Sequence, residues 1–368
     1  MKKVTIALVK EAFGSFELEE AELSAPNENE VLVKIVATGI CHTDVAIKNQ
    51  VLPCPLPLVL GHEGAGIVEA VGSKVNKVVP GDHVVISFSY CGSCPNCRNN
   101  KPAYCHHFLQ YNFSCCRPDG SGTLHQNEQI VYGSFFGQSS FSSHVLAGQN
   151  NVIKVPKEIP LEILAPLGCS IQTGAGSVIN SLRCTAGKSI AIFGTGAVGL
   201  SAVMAAKAIG CPVIIAIDIN EARLQAAEKS GATHMINSSN TDPSERIQAI
   251  TDGIGLDFSL DTTGKPDVIN TAIAALNVCG TCGLTAIPKP GTRLDIDPML
   301  IGAGRCIKGI VEGNSIPDVF IPYLIKQYQL GCFPYAELIS FYSFNEINKA
   351  VADLEKGQVI KPVIQMGA

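Results

Sequence analysis

The stretch Ser189-Ile-Ala-Ile-Phe-Gly194-Thr-Gly196-Ala-Val-Gly199 decides the fold. Ser189 to Phe193 reads as a strand buried on both faces, because a strand covered by helices on each side has no polar face to present. Three glycines follow as Gly-x-Gly-x-x-Gly, and the alanine-rich stretch Val198 to Ile209 reads as a helix. Alone, the glycine pattern says little. Between a strand and a helix it is specific, since the glycines permit a tight turn and let a pyrophosphate approach the helix N-terminus. Gly194, Thr195, Gly196, Val198 and Gly199 are therefore candidate dinucleotide contacts. Asp218 ends the next apolar run, nineteen positions after Gly199. A carboxylate there accepts from both ribose hydroxyls and repels a 2′-phosphate, which favours NAD over NADP. A helix N-cap is the other role open to Asp218, since Asn220-Glu221 follows. Arg223 is a further candidate cofactor contact.

Working outward, strand-like and helix-like segments alternate. Val213 to Ile217 is a strand, Glu221 to Lys229 a helix, and Thr233 to Ile236 a short apolar piece. Ser244 to Thr251, Leu256 to Leu260, Val268 to Leu276 and Gly283 to Ile287 continue the series. Such alternation predicts a doubly wound parallel sheet, an α/β Rossmann domain. Residues 1 to about 150 differ. Val31 to Ala37, Gly66 to Gly72 and Val84 to Phe88 are β-rich runs with no steady helical partner. The last fifty residues carry a helix at Asp318 to Gln329, a turn at Gly331 to Pro334 and a helix at Asn345 to Lys356. We expect a mainly β catalytic domain from residues 1–170 and 312–368, interrupted by a nucleotide domain at 171–311.

A length of 368 residues suits two domains at about 150 residues each. With 46% apolar and 16% charged residues, a large core can form and disorder is not expected. The net charge of -5 and the lack of any basic block argue against nucleic acid as a partner. Val4 to Val9 is short for a signal sequence, and Lys10-Glu11 follows it, so a first strand is expected. No apolar window of about 18 residues reads as a membrane span. A cytoplasmic location follows, where the fifteen cysteines stay reduced and clusters of them point to metal. Cys54, Cys184, Cys211, Cys279, Cys282, Cys306 and Cys332 read as small hydrophobes, and adjacent Cys115 and Cys116 have no evident partner.

Cys91-Gly-Ser-Cys94-Pro-Asn-Cys97, with Cys105 beyond it, is a zinc pattern. Two-residue gaps let one tight loop fill neighbouring corners of a tetrahedron, and four thiolates leave no open position. This site is structural, within a lobe at about residues 88–108. Three distant segments offer a second donor set: Gly39-Ile-Cys41-His42-Thr43-Asp44, Gly61-His62-Glu63-Gly64-Ala65-Gly66 and Leu167-Gly168-Cys169. Two cysteines and a histidine with an open fourth position make a catalytic zinc site. No spacing rule joins residues this far apart, and each is as readily core or surface.

Those segments, in this order along the whole chain with the cysteine quartet between them, resemble the zinc-containing medium-chain alcohol dehydrogenases. Tyr111-Asn-Phe, Arg117-Pro-Asp-Gly-Ser, Phe135-Phe-Gly-Gln-Ser-Ser-Phe141 and Leu167-Gly-Cys-Ser-Ile-Gln-Thr-Gly look like the aryl-alcohol (benzyl alcohol) dehydrogenase branch. The resemblance implies a GroES-like first domain, NAD, and two zinc ions per subunit of a dimer or tetramer. It implies Cys41, His62 and Cys169 as catalytic zinc ligands, with water or substrate oxygen fourth. Glu63 would sit close behind the metal, and Asp44 would orient His62. Thr43 would take the alcohol proton as hydride passes to the nicotinamide. Thr173 would lie near that ring, and His42 and Lys361 against the pyrophosphate. One departure stands out: Ala46 replaces the histidine that ends the proton relay in many relatives, so the exit is expected through His42 or water. Geraniol-type dehydrogenases share much of this wording. A glutathione-formaldehyde enzyme is disfavoured, since no arginine directly follows Cys105. A non-catalytic protein of the same fold is disfavoured because every ligand and the Thr43 hydroxyl are kept. Elemental analysis of the purified protein is expected to give two zinc per chain; one would remove a site, and none would overturn the reading.

Overall fold

The computed structural model describes residues 1–127 and 129–367. The chain forms two compact units, the first from Met1–Cys169, Ile316–Ile325 and Leu338 onward, the second from Ser170–Ser315 with Lys326–Glu337. Ala368, the end of the expected 312–368 segment, lies outside the described residues.

The second unit is built on a parallel sheet. Its strands lie in the order His234–Asn237, Val213–Asp218, Ser189–Phe193, Leu256–Asp261, Leu276–Leu284 and Cys306–Gly309. In chain order this is 3-2-1-4-5-6, the Rossmann arrangement. Ser189–Phe193 sits centrally, with Ile190, Ala191 and Ile192 sealed from solvent. Helix Ala197–Ile209 begins at Gly196 and stops at Gly210, whose φ of 92° is a left-handed cap that glycine adopts freely.

Two strands depart from the sequence reading. Leu276–Leu284 starts well before Gly283, because Cys279, Gly280 and exposed Val278 break the apolar run. Cys306–Gly309 was not expected, because an edge strand with mostly exposed side chains carries no hydrophobic pattern. Residues 326–337 were expected in the first domain but group with the second unit. There Tyr328, Phe333 and Tyr335 pack ring on ring, a contact that a helix-then-turn pattern does not announce.

The first unit holds two sheets. One runs Leu58–Val59, Lys2–Val9, Glu17–Leu23, Leu124–Gln126, Gln129–Val131. The other runs Val152–Lys154, His83–Ile86, Gly64–Val71, Glu30–Gly39, Lys361–Gln365, Ile339–Ser343, with His144–Gly148 also pairing to Glu30–Gly39. Along Glu30–Gly39, alternation sends Val31, Val33 and Ile35 into a core with Val68, Val84, Ile86 and Val145, while Lys34 faces out. The strand ends at Gly39, and Lys361–Gln365 pairs against that end. No described helix is long and apolar enough to cross a membrane.

The turn after Ser189–Phe193 is sterically closed at Gly199, where a Cβ would meet the Gly194 carbonyl oxygen at 1.9 Å. Gly199→Ala is expected to destabilise the protein by about 3 kcal/mol, at the upper end for overpacking. Urea unfolding would measure it, and an unchanged midpoint would contradict this packing.

Candidate active site

Helix His42–Lys48 begins at Cys41, and this puts Asp44 at its third position. The carboxylate reaches back to accept the Cys41 N–H at 2.9 Å. Its other oxygen accepts the Gly61 N–H at 3.0 Å and the His62 Nδ1–H at 2.9 Å. Both side chains are fully buried. An ionised carboxylate only accepts, so Nδ1 carries the proton and Nε2 presents its lone pair. Nε2 is buried with no hydrogen-bond partner among the described residues. A group in that state costs free energy unless something binds it.

The donor atoms of Cys41, His62, Glu63 and Cys169 all lie within 4.8 Å of one another. The Cys41 thiol is held well below its ordinary pKa, first by the hydrogen bond to Cys169 and then by His62, against the effect of burial. Burial opposes a charged His62 most strongly, yet Asp44 and Cys41 still hold its pKa well above the usual value. Both shifts favour positive charge in this pocket, which a cation between the two sulfurs and Nε2 would supply in place of an imidazole proton. Two sulfurs and one imidazole suit zinc, with a fourth position left open.

Neighbouring segments hold these ligands in place. Ser87 donates to the Gly168 carbonyl at 2.7 Å, beside Cys169. Gln138 accepts from the Gly64 N–H and donates to the His62 carbonyl, each at 3.0 Å, and donates to the Ser87 carbonyl at 3.3 Å. The rings of Phe136 and Phe135 lie 4.6 and 5.4 Å from the His62 ring. Phe136 has a φ of 51° and Ser139 one of 53°. Backbone in this region is strained for such residues and persists only where surroundings enforce it. Nothing in the sequence marks Gln138 or Phe136 for these contacts, since a single polar residue among Phe and Ser has no periodic signal. Phe88 is fully buried with its ring 6.0 Å from both Tyr90 and Phe108.

Lys361, expected against the pyrophosphate, is 1% exposed, with Nζ 2.5 Å from Glu63 Oε2 and donating to the Ile40 carbonyl at 2.9 Å. Burial disfavours its charge, but the Glu63 carboxylate outweighs that and raises its pKa. Burial likewise raises the Glu63 pKa, with Lys361 pulling the other way. Gly39 makes room, since a Cβ there would lie 1.9 Å from the Glu63 oxygen. His42 is exposed. The Thr43 hydroxyl sits 3.7 Å from the Cys41 sulfur, which donates to it.

The quartet forms a second centre. Sulfur separations are 3.5 Å for Cys94–Cys97 and Cys91–Cys105, 3.9 Å for Cys91–Cys97 and 4.0 Å for Cys94–Cys105. A tetrahedron with zinc–sulfur bonds of about 2.3 Å has edges of about 3.8 Å, so the cluster fits zinc. Backbone N–H groups of Ser93 and Cys94 point at the Cys91 sulfur and, against burial, draw its pKa down to about 6.

In the nucleotide unit the three glycines divide the work. Gly194 has a φ of 89°, Gly199 packs against its carbonyl, and a Cβ at Gly196 would meet nothing within 4 Å. Space kept open at the start of a helix suits a pyrophosphate. Asp218 accepts from the Thr195 N–H at 2.7 Å, its hydroxyl at 3.0 Å, and the N–H groups of Ile219 and Asn220 at 2.8 and 3.0 Å. Four donors of its own chain thus hold the carboxylate at the end of its strand. Asn220, not Asp218, caps the following helix, accepting from the Arg223 N–H. Arg223 Nε is buried without a partner among the described residues. Val198 is half-buried on the first turn of helix Ala197–Ile209. Thr173 donates to Glu312 at 3.3 Å.

Residues 27–157 match the alcohol dehydrogenase GroES-like domain, and residues 197–327 the zinc-binding dehydrogenase domain. A geraniol dehydrogenase of Castellaniella defragrans is 43% identical over 365 residues, covering 97% of this chain and 96% of that protein. This chain belongs to the zinc-containing medium-chain alcohol dehydrogenases. A crystal structure of benzyl alcohol dehydrogenase from Acinetobacter calcoaceticus superposes with a TM-score of 0.96 at 45% identity, covering 100% of each chain. An alcohol dehydrogenase zinc-binding domain protein from Burkholderia ambifaria gives 0.97 at 47% identity, also covering 100% of each. The family uses zinc and NAD, and the two donor clusters of this alcohol dehydrogenase are its candidate zinc sites.

Lys361→Met would strand a buried carboxylate, and losing one partner of a buried pair costs about 3–5 kcal/mol. Chemical unfolding of the zinc-loaded alcohol dehydrogenase is expected to show that loss, with Glu63→Gln/Lys361→Met recovering most of it. Additive losses in the double variant would refute the pairing.

Proposed function

We propose that this alcohol dehydrogenase oxidises a primary aromatic alcohol of the benzyl type to its aldehyde with NAD, reversibly. The observation that carries this reading is the aromatic wall on His62. Phe135 and Phe136 face the ligand ring, Phe113 packs on both, and Phe108 meets Phe136 edge-on. Flat unsaturated substrates are recognised by such rings in offset or edge-to-face contact. The likeness to a benzyl alcohol dehydrogenase along the whole chain supports it. An allylic terpene alcohol is the second reading, supported by the geraniol dehydrogenase relative. S-hydroxymethylglutathione is disfavoured: Arg117 pairs with Glu30 at 2.7 and 3.0 Å and donates to the Gly122 carbonyl, which takes its guanidinium away from any acidic substrate.

Cys41, His62 and Cys169 would hold the catalytic zinc, and the quartet the structural one. When bound, the catalytic zinc supplies a Lewis acid that polarises the alcohol, and NAD supplies the hydride acceptor. Asp44 fixes the imidazole through Nδ1. The Lys361 ammonium holds the Glu63 carboxylate in the buried space beside Gly39. The Thr43 hydroxyl takes the alcohol proton and passes its own onward; with Ala46 in the usual relay position, exposed His42 or water carries it out. Gly194, Gly196 and Gly199 cradle the pyrophosphate, Asp218 keeps Thr195 in place and excludes a 2′-phosphate, and Thr173 borders the nicotinamide.

We place the enzyme in the cytoplasm, where its fifteen thiols stay reduced. We also propose a dimer or tetramer joined through the nucleotide unit, supported by edge strand Cys306–Gly309 and exposed Val278, Ile287 and Met299.

A kinetic matrix of benzyl alcohol, geraniol, ethanol and S-hydroxymethylglutathione against NAD and NADP tests the reading. The highest kcat/KM is expected for benzyl alcohol with NAD. A geraniol value ten times higher would transfer the assignment to the terpene alcohol.

A further inference from the structure

Cys54 and Cys115 are far apart in sequence and take no part in either zinc cluster. Folding brings them together. The Cys54 sulfur lies 3.5 Å from the Phe113 carbonyl oxygen, and the Cys115 sulfur lies 3.4 Å from the same atom. Cys54 and Cys115 are 8% and 1% exposed. Each is held by its backbone: the Cys54 N–H donates to Gln50 Oε1 at 3.2 Å, and the Cys115 carbonyl accepts the Ser134 N–H at 3.2 Å. Cys115 has a φ of 59°, a conformation that strains a residue with a Cβ and marks a position imposed by its surroundings. Two thiols sharing one oxygen, each on a fixed backbone, make a pair ready for cross-linking.

We propose that Cys54 and Cys115 form a reversible oxidation site, closing to a disulfide with hydrogen peroxide and reopening with a thiol reductant. Cys54 is the attacking sulfur: it is the more exposed of the two, and Cys115 beside it holds its thiol below the ordinary pKa against the effect of burial. That thiolate attacks the peroxide O–O bond, gains one oxygen as sulfenic acid and releases hydroxide, which is protonated to water. The Cys115 sulfur then attacks Cys54, the S–O bond breaks, and a second water leaves with the Cys115 proton. Two thiols lose two electrons, and the peroxide gains them.

The link bears on catalysis through the ring stack. Closing a disulfide removes both S–H donors, so the Phe113 carbonyl loses the two hydrogen bonds it now accepts. The Phe113 ring packs 5.2 Å from Phe136 and 5.9 Å from Phe135, the two rings on His62. Small displacements near reacting groups cost rate heavily. Oxidation is therefore expected to lower kcat/KM several-fold, reversibly.

The test treats zinc-loaded wild type, Cys54→Ser and Cys115→Ser with hydrogen peroxide, then alkylates free thiols and maps peptides by mass spectrometry without reduction. A Cys54–Cys115 peptide is expected in the wild type alone, with zinc retained and the rate restored by dithiothreitol. Oxidation of exposed Cys279, Cys306 and Cys332 without that link would overturn the proposal. So would prior linking of quartet cysteines with loss of zinc. An unchanged rate in fully linked protein would overturn the coupling to His62. The thiol map reads the site whichever alcohol is the substrate, so its failure and a failure of the benzyl alcohol reading are separable.

Discussion

The Asp44 carboxylate is the tie on which the candidate zinc site depends. Its oxygens take three hydrogen bonds, from the Cys41 backbone, the Gly61 backbone and His62 Nδ1. One buried anion thus fixes where the segment of Cys41 begins, how the segment of His62 approaches it, and which imidazole nitrogen is left open to a metal. The helix that carries Asp44 is only seven residues long, too short to be stable alone. It gains its order from these contacts, so helix and site form together.

Around that tie the protein accepts costs that an apolar core would avoid. A lysine and a glutamate are buried against each other with Gly39 clearing the space. A buried pair of this kind seldom adds stability over well-packed hydrophobes, which is consistent with retention for placing the carboxylate. The loop at Phe136 and Ser139 carries left-handed backbone, held by Gln138 hydrogen bonds to Gly64, His62, Ile86 and Ser87. Strain, buried charge and an orphaned imidazole nitrogen cluster around one pocket. The strands beneath follow plain alternation and need no such compensation.

The nucleotide unit solves a different problem with fewer devices. Its sheet core is continuous from Phe193 and Ile215 to Leu276. Polar work concentrates where strands end, at Gly194 to Gly199 and Asp218. Asp218 accepts from both N–H and O–H of Thr195, so the acid at the end of its strand also sets the turn before it.

By itself the amino-acid order determined what depends on neighbours along the chain. The strand–turn–helix at Ser189 to Ile209 and the four-cysteine lobe are local patterns, since backbone sterics and tetrahedral geometry act over a few residues. The alternation that gives the Rossmann sheet is legible for the same reason, except at Cys306–Gly309, where an exposed edge carries no apolar signature. The tertiary structure alone decided which distant residues meet. It turned Lys361 inward to Glu63, gave Gln138 its bridging contacts, filled the Asp218 carboxylate with local donors, and set Cys54 and Cys115 on one carbonyl. The physical reason is common to all four. A single side chain's partner depends on how sheets and loops far apart in sequence pack, and no period or spacing in the chain records that.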